Sequence, residues 1–191
     1  MQILCLTPIK HLNEVYEYLN SFGCVDYYPN LNKESVKGLI DSFDYDVTAS
    51  TGLNHIDINY CNEKGIKVMS HKEDMKLLNE LPSTSELAFG LMSSMLRNIP
   101  SGFDDVKNGG WDYDKFMGHQ LKGKIIGLIG YGRLGKMMKT FCDAFGMTVK
   151  IHDPYEGYDD LDLILKESDI ISLHVHANNE TRHMINKKTL V

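Results

Sequence analysis

The stretch that most restricts the fold is Lys124-Ile125-Ile126-Gly127-Leu128-Ile129-Gly130-Tyr131-Gly132-Arg133-Leu134-Gly135. An apolar run from Ile125 to Ile129 stops at a glycine-rich turn. Leu134, Met137, Met138, Phe141 and Phe145 then recur at helix spacing on one face. The pattern predicts strand, tight turn and helix in immediate succession, with Gly130-x-Gly132-x-x-Gly135 at the junction. In such a turn the first glycine permits the reversal. The second lets a pyrophosphate approach the backbone, and the third lets helix and strand pack closely. The helix start offers N–H groups and a partial positive charge to phosphates. Met147 to Ile151 reads as the next strand and ends at His152-Asp153-Pro154. Asp153 follows the turn at about the ~20-residue interval where a carboxylate holds an adenosine ribose. It would repel a 2′-phosphate, and no arginine adjoins it, so the pattern favours NAD over NADP.

The flanking chain is consistent with a globular setting for this turn. Of 191 residues, 42% are hydrophobic and 24% charged, and the net charge of -6 argues against a nucleic-acid or anionic-membrane partner. No apolar stretch is long enough to span a bilayer, and Met1 to Leu6 reads as a strand rather than a secretory leader. Cys5, Cys24, Cys61 and Cys142 are scattered without CxxC spacing, which suggests reduced packing thiols and a cytoplasmic protein.

Upstream, strand-like Gln2–Leu6, Cys24–Tyr28, Asp44–Ser50 and Gly65–Met69 alternate with helical patterns. Leu12, Val15, Leu19 and Phe22 mark the first helix, Val36, Leu39 and Ile40 the second, and Ile56 to Tyr60 the third. This β-α-β-α-β-α-β order predicts a doubly wound α/β lobe. Ser83-x-x-Glu86 reads as a capping box opening a helix with Leu87, Leu91 and Met95 at spacing four and Met92 and Leu96 beside them. Trp111 and Phe116 are expected packing anchors. Leu161–Leu165 predicts a short helix, and Asp169–Val175 a third strand of the nucleotide half. His174 and His176 share one side of that strand, but no third metal ligand stands at helix spacing, and HExxH and GxSxG are absent. No metal is expected.

Several ordered stretches resemble the D-isomer-specific 2-hydroxyacid dehydrogenases. They are Ser50-Thr51-Gly52-Leu53-Asn54-His55-Ile56-Asp57, Ser83-Thr84-Ser85-Glu86-Leu87, Arg97-Asn98-Ile99-Pro100, Leu121-Lys122-Gly123-Lys124 with the glycine turn, and Phe145-Gly146-Met147. His152-Asp153-Pro154, Ser168 to His174, Glu180-Thr181-Arg182 and Ile185-Asn186 complete the set. The match runs from about Asp44 onward. It implies an α/β protein of two doubly wound, Rossmann-like lobes, the second incomplete. Residues 1–97 form a flavodoxin-like substrate lobe with a linking helix over 83–97, and 98–191 form the N-terminal half of an NAD-binding Rossmann domain. The implied ligands are NAD and a small 2-hydroxy or 2-keto acid. Backbone of Thr51 and Gly52 is expected to hold the substrate carboxylate. Gly130, Gly132, Arg133, Leu134 and Gly135 meet the pyrophosphate, Asp153 the ribose, and His174 and Val175 the adenosine side.

Departures from the family bear on activity. Its arginine in Asn-x-x-Arg-Gly, its glutamate and its histidine all fall beyond Val191, so residues 1–191 are expected to contain no catalytic side chain for hydride transfer. The resemblance also implies an internal deletion near residues 47–48, where Asp46-Val47 runs directly into Thr48. His176-Ala177 replaces the family's Pro-Leu. The sheet edge beside Ile125–Ile129 is expected to be unpaired, and pairing of such edges suggests a homodimer. The competing reading is a non-catalytic nucleotide-binding or oligomerising remnant.

Overall fold

The computed structural model describes residues 2–5, 13–28, 35, 39, 43, 45–48, 52–53, 56–156 and 159–189. The chain divides into two compact units, Met1–Glu80 and Leu81–Val191. No helix among the described residues is long and apolar enough to cross a membrane.

In the first unit, strands β1 (Gln2–Cys5), β2 (Cys24–Tyr27), β3 (Tyr45–Val47) and β4 (Lys67–Met69) form a parallel sheet in the order β2-β1-β3-β4. Helix α1 (Asn13–Phe22) precedes β2, and α2 (Ile58–Lys64) precedes β4. The Asp57 side chain caps α2 by accepting from the Tyr60 N–H at 3.2 Å, and Gly65 ends it at φ 71°. Leu4, Phe43, Ile56, Cys61 and Ile66 form the core. A helix α3 (Met75–Asn79) follows. Most of the helix expected around Val36–Ile40 lies outside the described residues, as do Thr51 and His55.

One core residue is an acid. Asp46 sits mid-sheet, registered between Leu4 and Val68, is 0% exposed, and among the described residues has no hydrogen-bond partner on either carboxylate oxygen. Burial therefore disfavours its charged form and raises its pKa from 3.8 to about 6.

In the second unit, β5 (Ile125–Ile129), β6 (Thr148–His152) and β7 (Ile170–Leu173) form a parallel sheet in the order β6-β5-β7. The expected open edge beside Ile125–Ile129 is therefore closed. After β6 the chain crosses over β5 and lays β7 on its far side, so β5 is central. Helices α4 (Ser83–Leu96) and α6 (Arg133–Ala144) cover the face that carries Ile126 and Leu128. Helix α7 (Leu161–Glu167) covers the other face. It lies so near that a Cβ on Gly127 would fall 2.4 Å from Ile164 Cγ2. Between α4 and β5 lie α5 (Ile99–Lys107) and a 3-10 turn, Tyr113–Phe116.

The boundary expected at residue 97 falls instead between Glu80 and Leu81. The reason is the packing of α4. Met92 is buried with Met138 and Cys142, Ala88 and Leu96 join that cluster, and the Phe89 ring meets Phe145 at 4.8 Å and Phe141 at 5.9 Å. The capping box is also absent. Pro82 already has helical backbone and accepts from the Glu86 N–H at 2.9 Å, so Ser83 sits inside the helix, and no side chain caps it. Leu87, Leu91 and Met95, the residues at spacing four, face solvent, and Trp111 is 85% exposed rather than an anchor.

Asp46 makes a prediction about the first unit. The folded chain holds its proton to about pH 6, while the unfolded chain releases it near 3.8. Stability therefore falls as pH rises through that window and is level above it, a loss of about 3 kcal/mol at ~1.4 kcal/mol per pKa unit. Asp46→Asn should remove this slope. Hydrogen exchange of β3 amides should show the variant more protected at neutral pH and equal to wild type near pH ~4.

Candidate nucleotide site

In open parallel α/β sheets, ligands settle beyond the carboxyl ends of the strands, where the chain reverses its winding direction. In the second unit that point lies between β5 and β7, so the crevice opens at Gly130 and His174. The three glycines of the turn divide by what surrounds them. Gly130 has φ 95°, and a Cβ on it would lie 2.6 Å from the His174 carbonyl oxygen and 2.9 Å from Val175 Cγ1. A Cβ on Gly135 would lie 2.3 Å from the Gly130 carbonyl oxygen. Gly132 has an ordinary φ of -68°, and a Cβ on it would meet nothing within 4 Å. Two glycines are thus demanded by packing. The third faces open space that packing does not require.

The start of α6 borders the same space. Gly132 is its N-cap and brings no side-chain acceptor, whereas Asp57, Asp74 and Asp160 cap α2, α3 and α7 with their carboxylates. The buried Ser85 hydroxyl donates to the Leu134 carbonyl at 3.1 Å and holds this first turn against α4. Arg133 Nη1 donates to the Leu81 carbonyl at 2.9 Å, which ties the guanidinium to the chain before α4.

Asp153, at the end of β6, faces the turn. Its Oδ2 accepts from the Tyr131 N–H at 2.7 Å, and its Oδ1 accepts from Tyr155 N–H at 2.9 Å and Glu156 N–H at 3.3 Å. Partial burial opposes ionisation, but these three N–H groups outweigh it and hold the carboxyl below its ordinary range. A carboxylate with one N–H on Oδ2 still has a lone pair there for a hydroxyl. Lys136 pairs with Glu156 at 3.0 Å and lies 5.5 Å from the Tyr131 ring centroid, so cation and aromatic edge the same mouth. His174 is half-buried at the end of β7, and burial moves its pKa down. Its Nε2 is 3.0 Å from Ser172 Oγ.

The sequence-expected residues Gly130, Gly132, Arg133, Leu134, Gly135, Asp153, His174 and Val175 therefore converge on one crevice. Gly52, in the first unit, is exposed with open space where a Cβ would stand. Thr51 lies outside the described residues. Two contributors escaped the sequence reading. Ser85 reads as one more small polar residue of a helix start, and Ser172 as a strand serine; each shows its role only through a partner, Leu134 and His174 respectively.

The fold and crevice define a nucleotide-binding protein of the parallel α/β class. Residues 89–191 match the model of the NAD-binding domain of D-isomer specific 2-hydroxyacid dehydrogenases, and the chain belongs to that family. It is 39% identical over 149 residues to a hydroxypyruvate reductase of Thermotoga maritima, covering 74% of this chain and 47% of that protein. It is 35% identical over 153 residues to a D-3-phosphoglycerate dehydrogenase of Methanocaldococcus jannaschii, covering 74% and 28%. The chain thus spans less than half the length of these relatives. A D-lactate dehydrogenase of Aquifex aeolicus, solved with NAD and lactic acid, aligns with a TM-score of 0.75 at 26% identity over 99% of this chain and 65% of that one. An acyclic imino acid reductase solved with NADPH and D-Arg shares the fold, with a TM-score of 0.78 at 23% identity over 100% and 70%. The cofactor of this family domain is NAD, and the open cradle at Gly132 beside an ionised Asp153 fits it.

The division among the glycines is testable by thermal unfolding. Gly135→Ala should destabilise the second unit by about 1–3 kcal/mol, the usual cost of forcing extra carbon into packed space. Gly132→Ala should cost less, under about 1 kcal/mol, since a Cβ there meets nothing and only the N-cap preference for glycine over alanine is lost.

Proposed function

We propose that residues 1–191 comprise the substrate lobe and the first half of the NAD-binding lobe of an NAD-dependent 2-hydroxyacid dehydrogenase, transferring hydride between NAD and a small 2-hydroxy or 2-keto acid. The observation that carries this reading is the open space at Gly132, flanked by an uncapped helix start and by Asp153. NAD, when bound, supplies the hydride-accepting ring. The chain's own residues bind and orient it. Backbone at Gly132, Arg133 and Leu134 receives the pyrophosphate, Asp153 takes the ribose hydroxyls, and His174 and Val175 wall the adenosine side. Gly130 and Gly135 shape the turn. In the first unit, backbone of Thr51 and Gly52 receives the substrate carboxylate. Family resemblance puts the arginine, glutamate and histidine of the chemical step downstream of residue 191. The part proposed for residues 1–191 is therefore to bind and orient the cofactor. Free thiols at Cys24, Cys61 and Cys142, the last pushed up to about 11 by burial and by Asp143, suit a reducing, cytoplasmic setting.

Calorimetry on the purified chain should show NAD bound more tightly than NADP. Gly132→Val should abolish NAD binding, and Asp153→Ala should weaken it and narrow the gap to NADP. Equal affinity of wild type for the two cofactors would refute the ribose assignment. An NADH absorbance assay with a panel of 2-keto acids should read no turnover, and turnover would overturn the placement of the catalytic groups.

The partner reading is a homodimer, and the second unit supports a helical surface for it rather than paired sheet edges. Leu87, Leu91 and Met95 on α4 are exposed, as are Ile99, Phe103 and Val106 on α5, with Trp111 and Tyr113 beyond. Aromatic side chains carry about 150–250 Å² each, so this surface reaches the ~800 Å² per partner of an ordinary stable interface. Light scattering should read a dimer that Met95→Lys combined with Trp111→Lys converts to monomer. A wild-type monomer would overturn it.

A further inference from the structure

We propose that Ser172 is a positioning residue that fixes His174 as the tautomer carrying its proton on Nδ1, so that the ring offers one N–H donor to a nucleotide in the crevice. The inference deepens the proposed NAD reading and rests on it for the ligand, though not for the tautomer.

The two residues stand two apart at the end of β7, so their side chains leave the same face of the sheet. That face is the one covered by α4 and α6. Ser172 is registered beside Leu128, which is buried in the core under those helices, and His174 Cβ is 3.8 Å from where a Cβ on Gly135 would stand. Ser172 Oγ and His174 Nε2 are 3.0 Å apart. One of the two must donate. Among the described residues the Ser172 hydroxyl has no other partner, and a half-buried hydroxyl that keeps its hydrogen unpaired loses a hydrogen bond it had in water. Donation from Ser172 to Nε2 satisfies the hydroxyl and makes Nε2 the acceptor. A neutral imidazole then has its hydrogen on Nδ1. Burial works in the same direction, since it disfavours the doubly protonated ring.

The placement gives that donor a use. The His174 carbonyl is packed against Gly130, so the backbone of the residue is fixed to the turn, and the residue stands at the point where the sheet reverses its winding, with ring Nε2 beside Ser172. A nucleotide in the crevice presents phosphate, hydroxyl and ring-nitrogen acceptors. A neutral donor serves all three without adding a charge.

The tautomer can be read on the free protein by long-range proton–nitrogen correlation spectra of the histidine rings. Wild type should show His174 Nδ1 protonated and Nε2 bare. Ser172→Ala should shift the ring toward the Nε2-protonated form, and Ser172→Thr, which keeps the hydroxyl, should restore the wild-type pattern. NAD affinity by calorimetry should fall about five-fold in Ser172→Ala, the worth of one neutral hydrogen bond, and recover in Ser172→Thr. A wild-type ring protonated on Nε2 overturns the proposal without any variant. So does a Ser172→Ala ring unchanged in tautomer, or one that switches while NAD affinity stays the same. Should the unaltered protein bind no NAD, the function proposed above fails, and the tautomer spectrum still decides the Ser172 assignment separately.

Discussion

The second unit depends on one close approach. Helix α6 begins so near the end of β5 that the space a Gly135 Cβ would need is filled by the Gly130 carbonyl. Helix and strand can meet there only without side chains, and the rest follows from that geometry. Met138 and Cys142 come down on Ile126 and Leu128, and Met92 on α4 closes over them. The Ser85 hydroxyl then reaches the carbonyl of Leu134 in the same first turn. On the other side of Gly130, His174 and Val175 pack against the turn and bring the end of β7 beside the end of β5. A nucleotide crevice is what remains between these ends.

Much of this was legible in sequence because it is local. Strand β5, the turn, α6, β6 and Asp153 follow one another within about thirty residues, and each is marked by a period or a punctuating glycine. The position of β7 was not legible. Its apolar residues announce a strand but not which side of β5 it takes, and the crossing over β5 depends on α7 fitting against Gly127. Nor did the period of α4 distinguish its two apolar faces. Leu87, Leu91 and Met95 repeat at spacing four as regularly as any core stripe, yet the buried side is Ser85, Ala88, Met92 and Leu96. Ser85 and Ala88 are small, and α6 comes close because they are. A hydrophobicity pattern gives weight to large residues, and so it could not tell the two sides apart. The same bias hides Asp46, a charge among apolar neighbours whose burial follows from the register with Leu4 and Val68.

The two acids at strand ends in the nucleotide sheet show how position decides what a carboxylate does. Asp169, just before β7, accepts from the Ile125 N–H at 2.8 Å and from Lys124 Nζ at 3.0 Å. It is satisfied by the amino ends of the strands it joins, which makes it a structural clasp. Asp153 lies at the carboxyl ends, where three N–H groups and the neighbouring His152 favour its ionised form, while Lys136 at the same mouth is paired to Glu156. Hydrogen bonds from N–H groups stabilise its charge without cancelling it.

That uncancelled charge orders the proposed ligand. A dianionic pyrophosphate and an ionised carboxylate repel, and the repulsion is strongest where water is displaced. In the proposed complex the phosphates therefore lie over the start of α6, at the positive end of the helix dipole, and the neutral ribose over Asp153. A 2′-phosphate would place its charge against the one group at the mouth that cannot give up its own. The proposed preference for NAD over NADP then needs no added pocket wall. It follows from the Tyr131 N–H, which holds Asp153 against the turn and so fixes the distance between the two regions of opposite sign.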